Sequence, residues 1–244
     1  MILRRFMKHV TDQNWFAVGL DVIVVIVGIF LGLQVQAYYE DQTIRVQEQA
    51  YLNQLHDEVI TVTVEAQRKY NGALRRMELL ILLTHHFKGG AQIDAFNQEH
   101  CNSIASSHVI ISADIALSTL DEIVSSGQIA IIQNKKIKSL ISDNVRQNNR
   151  EARLSELLTS QAKRLALIFP QLISLGAVNE INERSASNRN NQCDFVSMRS
   201  NQSFINELIT NSSILNAVNL LFPPKIELLN QLHSELDREL AITH

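Results

Sequence analysis

Residues Trp15 to Val35 read WFAVGLDVIVVIVGIFLGLQV, and the fold turns on whether this run is a buried strand or a helix. Length decides. Strands usually stop at about 4–8 residues, whereas 21 residues at about 1.5 Å of rise each span roughly 31 Å, the hydrocarbon thickness of a bilayer. Asp21 opposes insertion and would cost up to about 2.5–3.5 kcal/mol at the membrane centre. It lies near the edge of the run, however, and is the intramembrane polar candidate. Eleven Val, Ile, Leu and Phe residues follow from Val22 to Val35, each favouring insertion by about 0.3–0.6 kcal/mol, so insertion wins. Trp15 on one side and Tyr38 with Tyr39 on the other supply rings that settle at headgroup level.

The flanks predict the orientation. Arg4, Arg5 and Lys8 precede the run, Glu40 and Asp41 follow it, and basic residues stay cytoplasmic. The expectation is a single-pass bacterial inner-membrane protein. Residues 1–14 form a cytoplasmic basic tail, 15–37 the anchor, and 38–244 an external, periplasmic domain. Val35-Gln36-Ala37 has the small-residue shape of a signal-peptidase site, but the apolar run exceeds the roughly 7–15 residues of a secretory signal. A signal-anchor is the better reading.

Composition bounds the rest. A net charge of −3 gives no global basic field, so nucleic acid is not an expected partner. Only eight Gly and three Pro occur in 244 residues, and that scarcity of helix breakers predicts an all-α chain. No Gly or Pro occurs between Leu33 and Gly72, so the anchor is free to run into a second, amphipathic stretch. Ile44, Tyr51, Leu55, Val59, Val62, Ala66, Tyr70, Ala73, Met77 and Leu80, with Glu48 filling the one gap, advance 36 residues in ten steps. That is the α-helical period of 3.6, and Gly89-Gly90 should stop the helix after Phe87.

Further helices are predicted over Ala91–Ser106 and Ala113–Ser126, the latter closed by Gly127. Asn134 should cap a helix running from Lys135 to about Phe169, where Pro170 ends it. Leu165–Val178 is too short for a second span and reads as a core helix. Asn179–Ser203 reads as a long loop around Cys193. Phe204–Phe222 and Lys225–Ile242 follow as helices separated by a Pro223-Pro224 stop, completing an antiparallel bundle.

Two stretches carry a family resemblance. Gly28–Glu40, GIFLGLQVQAYYE, resembles the GIxxGLQV-type anchor exit of an uncharacterised family of bacterial membrane-anchored proteins, with Tyr38 standing where that family more often has Trp. Thr119–Asn134, TLDEIVSSGQIAIIQN, is similar to its Leu-rich helix ending in Ser-Ser-Gly. The resemblance implies an anchored helical protein and carries no catalytic residues.

Few residues stand out chemically. Gly28 and Gly32 form a GxxxG, the spacing that lets two membrane helices approach closely, and predict a homo-oligomer through the anchor. Cys101 and Cys193 are the only cysteines; in an oxidising compartment they are disulfide candidates. His85-His86, His100 beside Glu99 and Cys101, and His233 with Asp237 one turn later are residues that could be drawn together as metal ligands. None makes an HExxH or a Cys/His set with zinc spacing. No nucleophile elbow, Walker loop, GxGxxG or Ca²⁺ loop occurs either. No catalytic residue, metal or cofactor is therefore expected. The function read from sequence is a non-catalytic interaction or assembly module, in contact with the bilayer and with an unknown envelope protein. A ligand-sensing bundle acting through a membrane partner is the first alternative, and a metal-assisted hydrolase the second.

Overall fold

The computed structural model describes residues 15–90, 92–113, 115–177 and 190–242, and no side chain at 15–19 or 21. The chain is all-α apart from one two-stranded sheet. In order it runs α1 (Trp15–Phe87), α2 (Gln98–Ala105), α3 (Ser118–Ser125), a 3₁₀ turn (Gln128–Ala130), α4 (Lys135–Thr159), α5 (Leu165–Ile168), β1 (Ile173–Ser174), β2 (Gln192–Cys193), α6 (Phe195–Ser200), α7 (Gln202–Asn219) and α8 (Phe222–Leu240). Packing divides it into two units, Met1–Ala50 and Tyr51–His244.

The described part of the first unit is the opening stretch of α1, which is long and apolar enough to cross a membrane. Every described Leu, Ile, Val and Phe from Leu20 to Val35 is 48–62 % exposed. An apolar surface of that extent has no counterpart on ordinary soluble folds. Arg4, Arg5 and Lys8 lie outside the described residues, as do the side chains of Trp15 and Asp21.

In the second unit α1 keeps its stripe. Leu55, Val59, Ala66, Ala73 and Leu80 are fully buried, as a 3.6-residue period requires of a helix with one packed face. The α1 residues meet α8 and then α7 in descending order. His56 Nε2 lies 2.9 Å from Asp237 Oδ1, Tyr70 stacks on Phe222 at 5.6 Å, and Phe87 meets Phe204 edge-on at 6.1 Å. The last two long helices thus retrace the part of α1 that lies in the second unit, antiparallel to it. α4 runs antiparallel to α8 as well, since Asn134 Nδ2 donates to Glu239 Oε2 while Asn148 Oδ1 accepts from Lys225 Nζ fourteen residues nearer its start. One apolar cluster joins α1, α3, α4 and α8 around Leu55, Ile141 and Leu232. A second gathers α1, α2, α5 and α7 around Leu83, Ile104 and Phe204. Along α1 and α4 the stretch between them holds a buried polar group, Asn144, Glu151, Asn219 and Lys225.

Several boundaries differ from the sequence expectation, each for a physical reason. α4 stops at Thr159 rather than near Phe169 because α7 captures the following backbone: Asn211 Oδ1 accepts from Lys163 N at 3.0 Å and its Nδ2 donates to Lys163 O at 2.8 Å. Leu165–Val178 is not one core helix. Pro170 limits α5 to one turn, and the chain enters β1, where Ile173 pairs with Cys193 and Ser174 with Gln192. The loop expected over Asn179–Ser203 is shorter at its described end, since β2, α6 and the start of α7 lie within that range. Pro223 and Pro224 open α8 instead of separating two helices; the first turn of a helix is where a missing N–H is harmless. The segment starting at Ala91 becomes helical only at Gln98, under the Asn97 cap. The helix after Ala113 likewise begins only at Ser118. Gly127 takes the expected left-handed conformation at φ 75°.

Candidate functional site

The residues that converge on open space belong to α1, α2, the segment after α2, and α5. Together they line a cavity of about 940 Å³ within the second unit. That volume lies at the upper end for small-molecule sites. The walls are apolar where Leu79, Ala105, Val109, Ile111, Ala166 and Leu167 face in, and its charged groups are mostly cationic: Arg75, Arg76 and Arg164 against the single carboxylate Glu99.

Helical spacing sets two of the arginines side by side at the mouth, in unlike roles. Arg75 forks onto Glu99, with Nε to Oε1 at 2.7 Å and Nη2 to Oε2 at 3.1 Å. Hydrogen bonding and charge from Arg75 hold the Glu99 carboxyl below its usual range. Both side chains are exposed, so this pair orients more than it stabilises. Arg76 reaches inward, and its Nη1 donates to the Val109 carbonyl at 2.5 Å and, more weakly, to that of Ser106 at 3.5 Å. Burial pulls its pKa down, yet a guanidinium starts so high that it stays charged.

His108 lies beside them, half-buried. Burial, then the Arg164 and Arg76 charges, push its pKa below the ordinary value against a weaker upward pull from the Ala105 carbonyl. It is a neutral imidazole at pH 7. Its Nδ1 is shielded from solvent and makes no hydrogen bond of good geometry.

The cavity rim is fixed by the sequence-predicted cysteines. Cys101 on α2 and Cys193 on β2 are joined, 92 residues apart with Cα atoms 5.6 Å from each other. Asn191 reinforces the tie: its Oδ1 accepts from Gly176 N, its Nδ2 donates to Asn102 Oδ1, and its carbonyl accepts from Gln98 Nε2. Gly176 itself has to be glycine, because a Cβ there would sit 2.5 Å from the Asn190 carbonyl oxygen.

Of the other sequence candidates only Glu99 is among the residues that line this cavity. Gly28 and Gly32 lie on the exposed helix with nothing within 4 Å of a would-be Cβ. The histidines disperse. His100 belongs to a capping box with Asn97, His86 Nδ1 accepts from Ile93 N across the Gly89-Gly90 turn, and His85 is exposed. Only His233 and Asp237 remain close, and His56, which the sequence gave no reason to include, joins them. Arg76, His108 and Arg164 were equally invisible, because no short motif links positions so far apart. The Arg75-Arg76 pair on a helix that is apolar on its packed face is the one available hint. No family model, curated protein or solved structure matches the chain.

Proposed function

We propose that this chain is a membrane-anchored recognition module that works by non-covalent binding, and that its arginine-lined cavity takes a small organic anion with an apolar body. One observation carries the reading: Arg76, Arg164 and a neutral His108 line a largely apolar space of about 940 Å³. Arginine forks match carboxylate and phosphate geometry, and partly desolvated cations act more strongly on an anion than they would in water. The apolar walls select the body of the ligand, which favours ligand sensing through a membrane partner over a purely assembling role.

Placement supports the same reading. The exposed apolar helix is the anchor, and the basic residues before it against Glu40 and Asp41 after it support a second unit on the periplasmic side of a bacterial inner membrane. A disulfide that persists in an oxidising compartment agrees with that side. The likeness to anchored bacterial proteins at Gly28–Glu40 is part of the proposal. Gly28 and Gly32, open on the helix surface, offer a self-association face.

Binding of a panel of organic acids to the full chain in nanodiscs, followed by calorimetry, tests the cavity. The Arg164 side chain is exposed and makes no hydrogen bond among the described residues, while its backbone carbonyl keeps its bonds from Leu167 and Ile168 in any variant, so Arg164→Ala should leave folding intact. It should weaken the best ligand about 10-fold or more, the value of one charged hydrogen bond of roughly 1.5–3 kcal/mol. Equal affinity in wild type and variant rejects the site. A C-terminal alkaline-phosphatase fusion should be active; an inactive fusion with a bright cytoplasmic fluorescent fusion reverses the orientation.

A further inference from the structure

His56 on α1 and His233 and Asp237 on α8 offer three metal-type ligand atoms, all within 4.8 Å of one another. His233 and Asp237 share a face because they are one helical turn apart. His56 arrives from 181 positions away in sequence because α8 runs antiparallel to α1. None of the three lines the arginine cavity, so the inference stands or falls independently of the function proposed above.

We propose that His56, His233 and Asp237 form a binding site for one zinc-class divalent cation, which fastens the first helix of the second unit to its last. The donor set is two imidazoles and one carboxylate, the combination that first-row transition cations of intermediate softness take. Metal–ligand bonds of about 2.0–2.2 Å in a tetrahedral arrangement put ligand atoms roughly 3.3 Å apart. The separations here bracket that value: Asp237 Oδ1 is 2.9 Å from His56 Nε2 and 3.4 Å from His233 Nε2. The imidazole rings lie 5.1 Å apart, tilted by 41°, and the three ligand atoms all fall within 4.8 Å of one another.

The surroundings of His56 make the stronger case. Its Nδ1 faces Asp57 Oδ1 at 3.4 Å while its Nε2 faces the Asp237 carboxylate. A cation taking the place of the Nε2–Asp237 hydrogen bond would leave Nδ1 facing the Asp57 carboxylate, the outer partner of a carboxylate–histidine–metal relay. Burial is graded as well. The His56 side chain is 7 % exposed, His233 29 % and Asp237 23 %, so the site is dry on the α1 side and open to solvent on the α8 side. Water supplies the remaining coordination position there, and a cation can enter by the same route.

Full-length protein, purified in detergent on a tag without histidine and stripped with a chelator, is titrated with Co²⁺ and then competed with Zn²⁺. The expected result is one equivalent of Co²⁺ with the intense visible absorption of a four- or five-coordinate nitrogen and oxygen site, displaced by one equivalent of Zn²⁺. His233→Gln and Asp237→Asn should each weaken binding at least about 100-fold while circular dichroism stays unchanged, and Asp57→Asn about 10-fold. These partly exposed positions keep the test decisive should His56→Ala fail to fold. Zn²⁺ should also raise the unfolding temperature of the wild type and not of His233→Gln. The proposal is overturned if no stoichiometric cobalt binds at about 100 µM, or if binding survives in both His233→Gln and Asp237→Asn.

Discussion

One helix, α1, is built in two ways. From Leu20 to Val35 its large apolar side chains are exposed on every side of the helix, each to about half its surface or more. From Leu55 to Leu80 the fully buried side chains Leu55, Val59, Ala66, Ala73 and Leu80 recur at one or two helical turns along one face, and the positions between them, His56 apart, are half-buried or exposed. The backbone hydrogen bonding is the same; the environment each side chain is written for differs. An apolar residue in the first stretch is worth its transfer into lipid, whereas one in the second is worth its transfer plus the shape of the hole it fills.

The sharpest way to break that comparison is to make the same truncation in both stretches. Leu55→Ala removes a side chain with no exposed surface and should destabilise the second unit by about 2–5 kcal/mol. For a domain of this size that is a fall of roughly 5–15 °C in unfolding temperature. Leu31→Ala, at 57 % exposure, should leave that transition unmoved, and the remaining apolar run should still hold the chain in the membrane fraction. Equal destabilisation by the two substitutions, read by calorimetry in detergent, would mean that the first stretch packs in a core.

Cys193→Ser sharpens the contrast from the other side, because the bond it removes lies wholly in the second unit and ties β2 to α2. Releasing a cross-link across 92 residues should cost about 2–4 kcal/mol by its effect on the unfolded chain. The loss should appear as a lower urea midpoint with unchanged membrane retention. A midpoint that does not move, with or without reductant in the wild type, would show that Asn191 and its three hydrogen bonds hold the hairpin alone.

What the sequence made legible follows the same division. Periodicity and local chemistry are short-range, so the apolar run, the stripe on α1, the caps at Asn134 and the left-handed Gly127 could all be read directly. Two of the misplaced boundaries have distant causes. α4 ends where Asn211 seizes the Lys163 backbone, and nothing near Thr159 announces it. α3 has no side-chain cap of its own; the Glu58 carboxylate accepts from the backbone of Ser118 and Thr119 across the bundle instead. The cysteines were found because only two exist and thus only one intrachain pairing is available. His56, Arg76, His108 and Arg164 were not found, since convergence of common residue types from separate helices leaves no spacing to recognise.

The smallest expected effect concerns His108, and its sign separates the protein alone from the protein with ligand. Burial lowers its native pKa below the unfolded value of about 6.5. The unfolded chain therefore binds the proton more readily, and stability contributed by the neutral imidazole is present above that pH and lost as pH falls from there through the native pKa. An anion seated between Arg76 and Arg164 reverses the local field and raises the His108 pKa, so binding takes up a proton and affinity rises as pH falls through the same window. Acid should thus weaken the free domain slightly while tightening the anion several-fold below about pH 6.5. His108→Gln, which keeps a polar side chain but no titration there, should flatten both slopes. Calorimetry in two buffers of different ionisation enthalpy reads the proton uptake directly; binding that releases protons, or an uptake unchanged in His108→Gln, would remove the imidazole from the site.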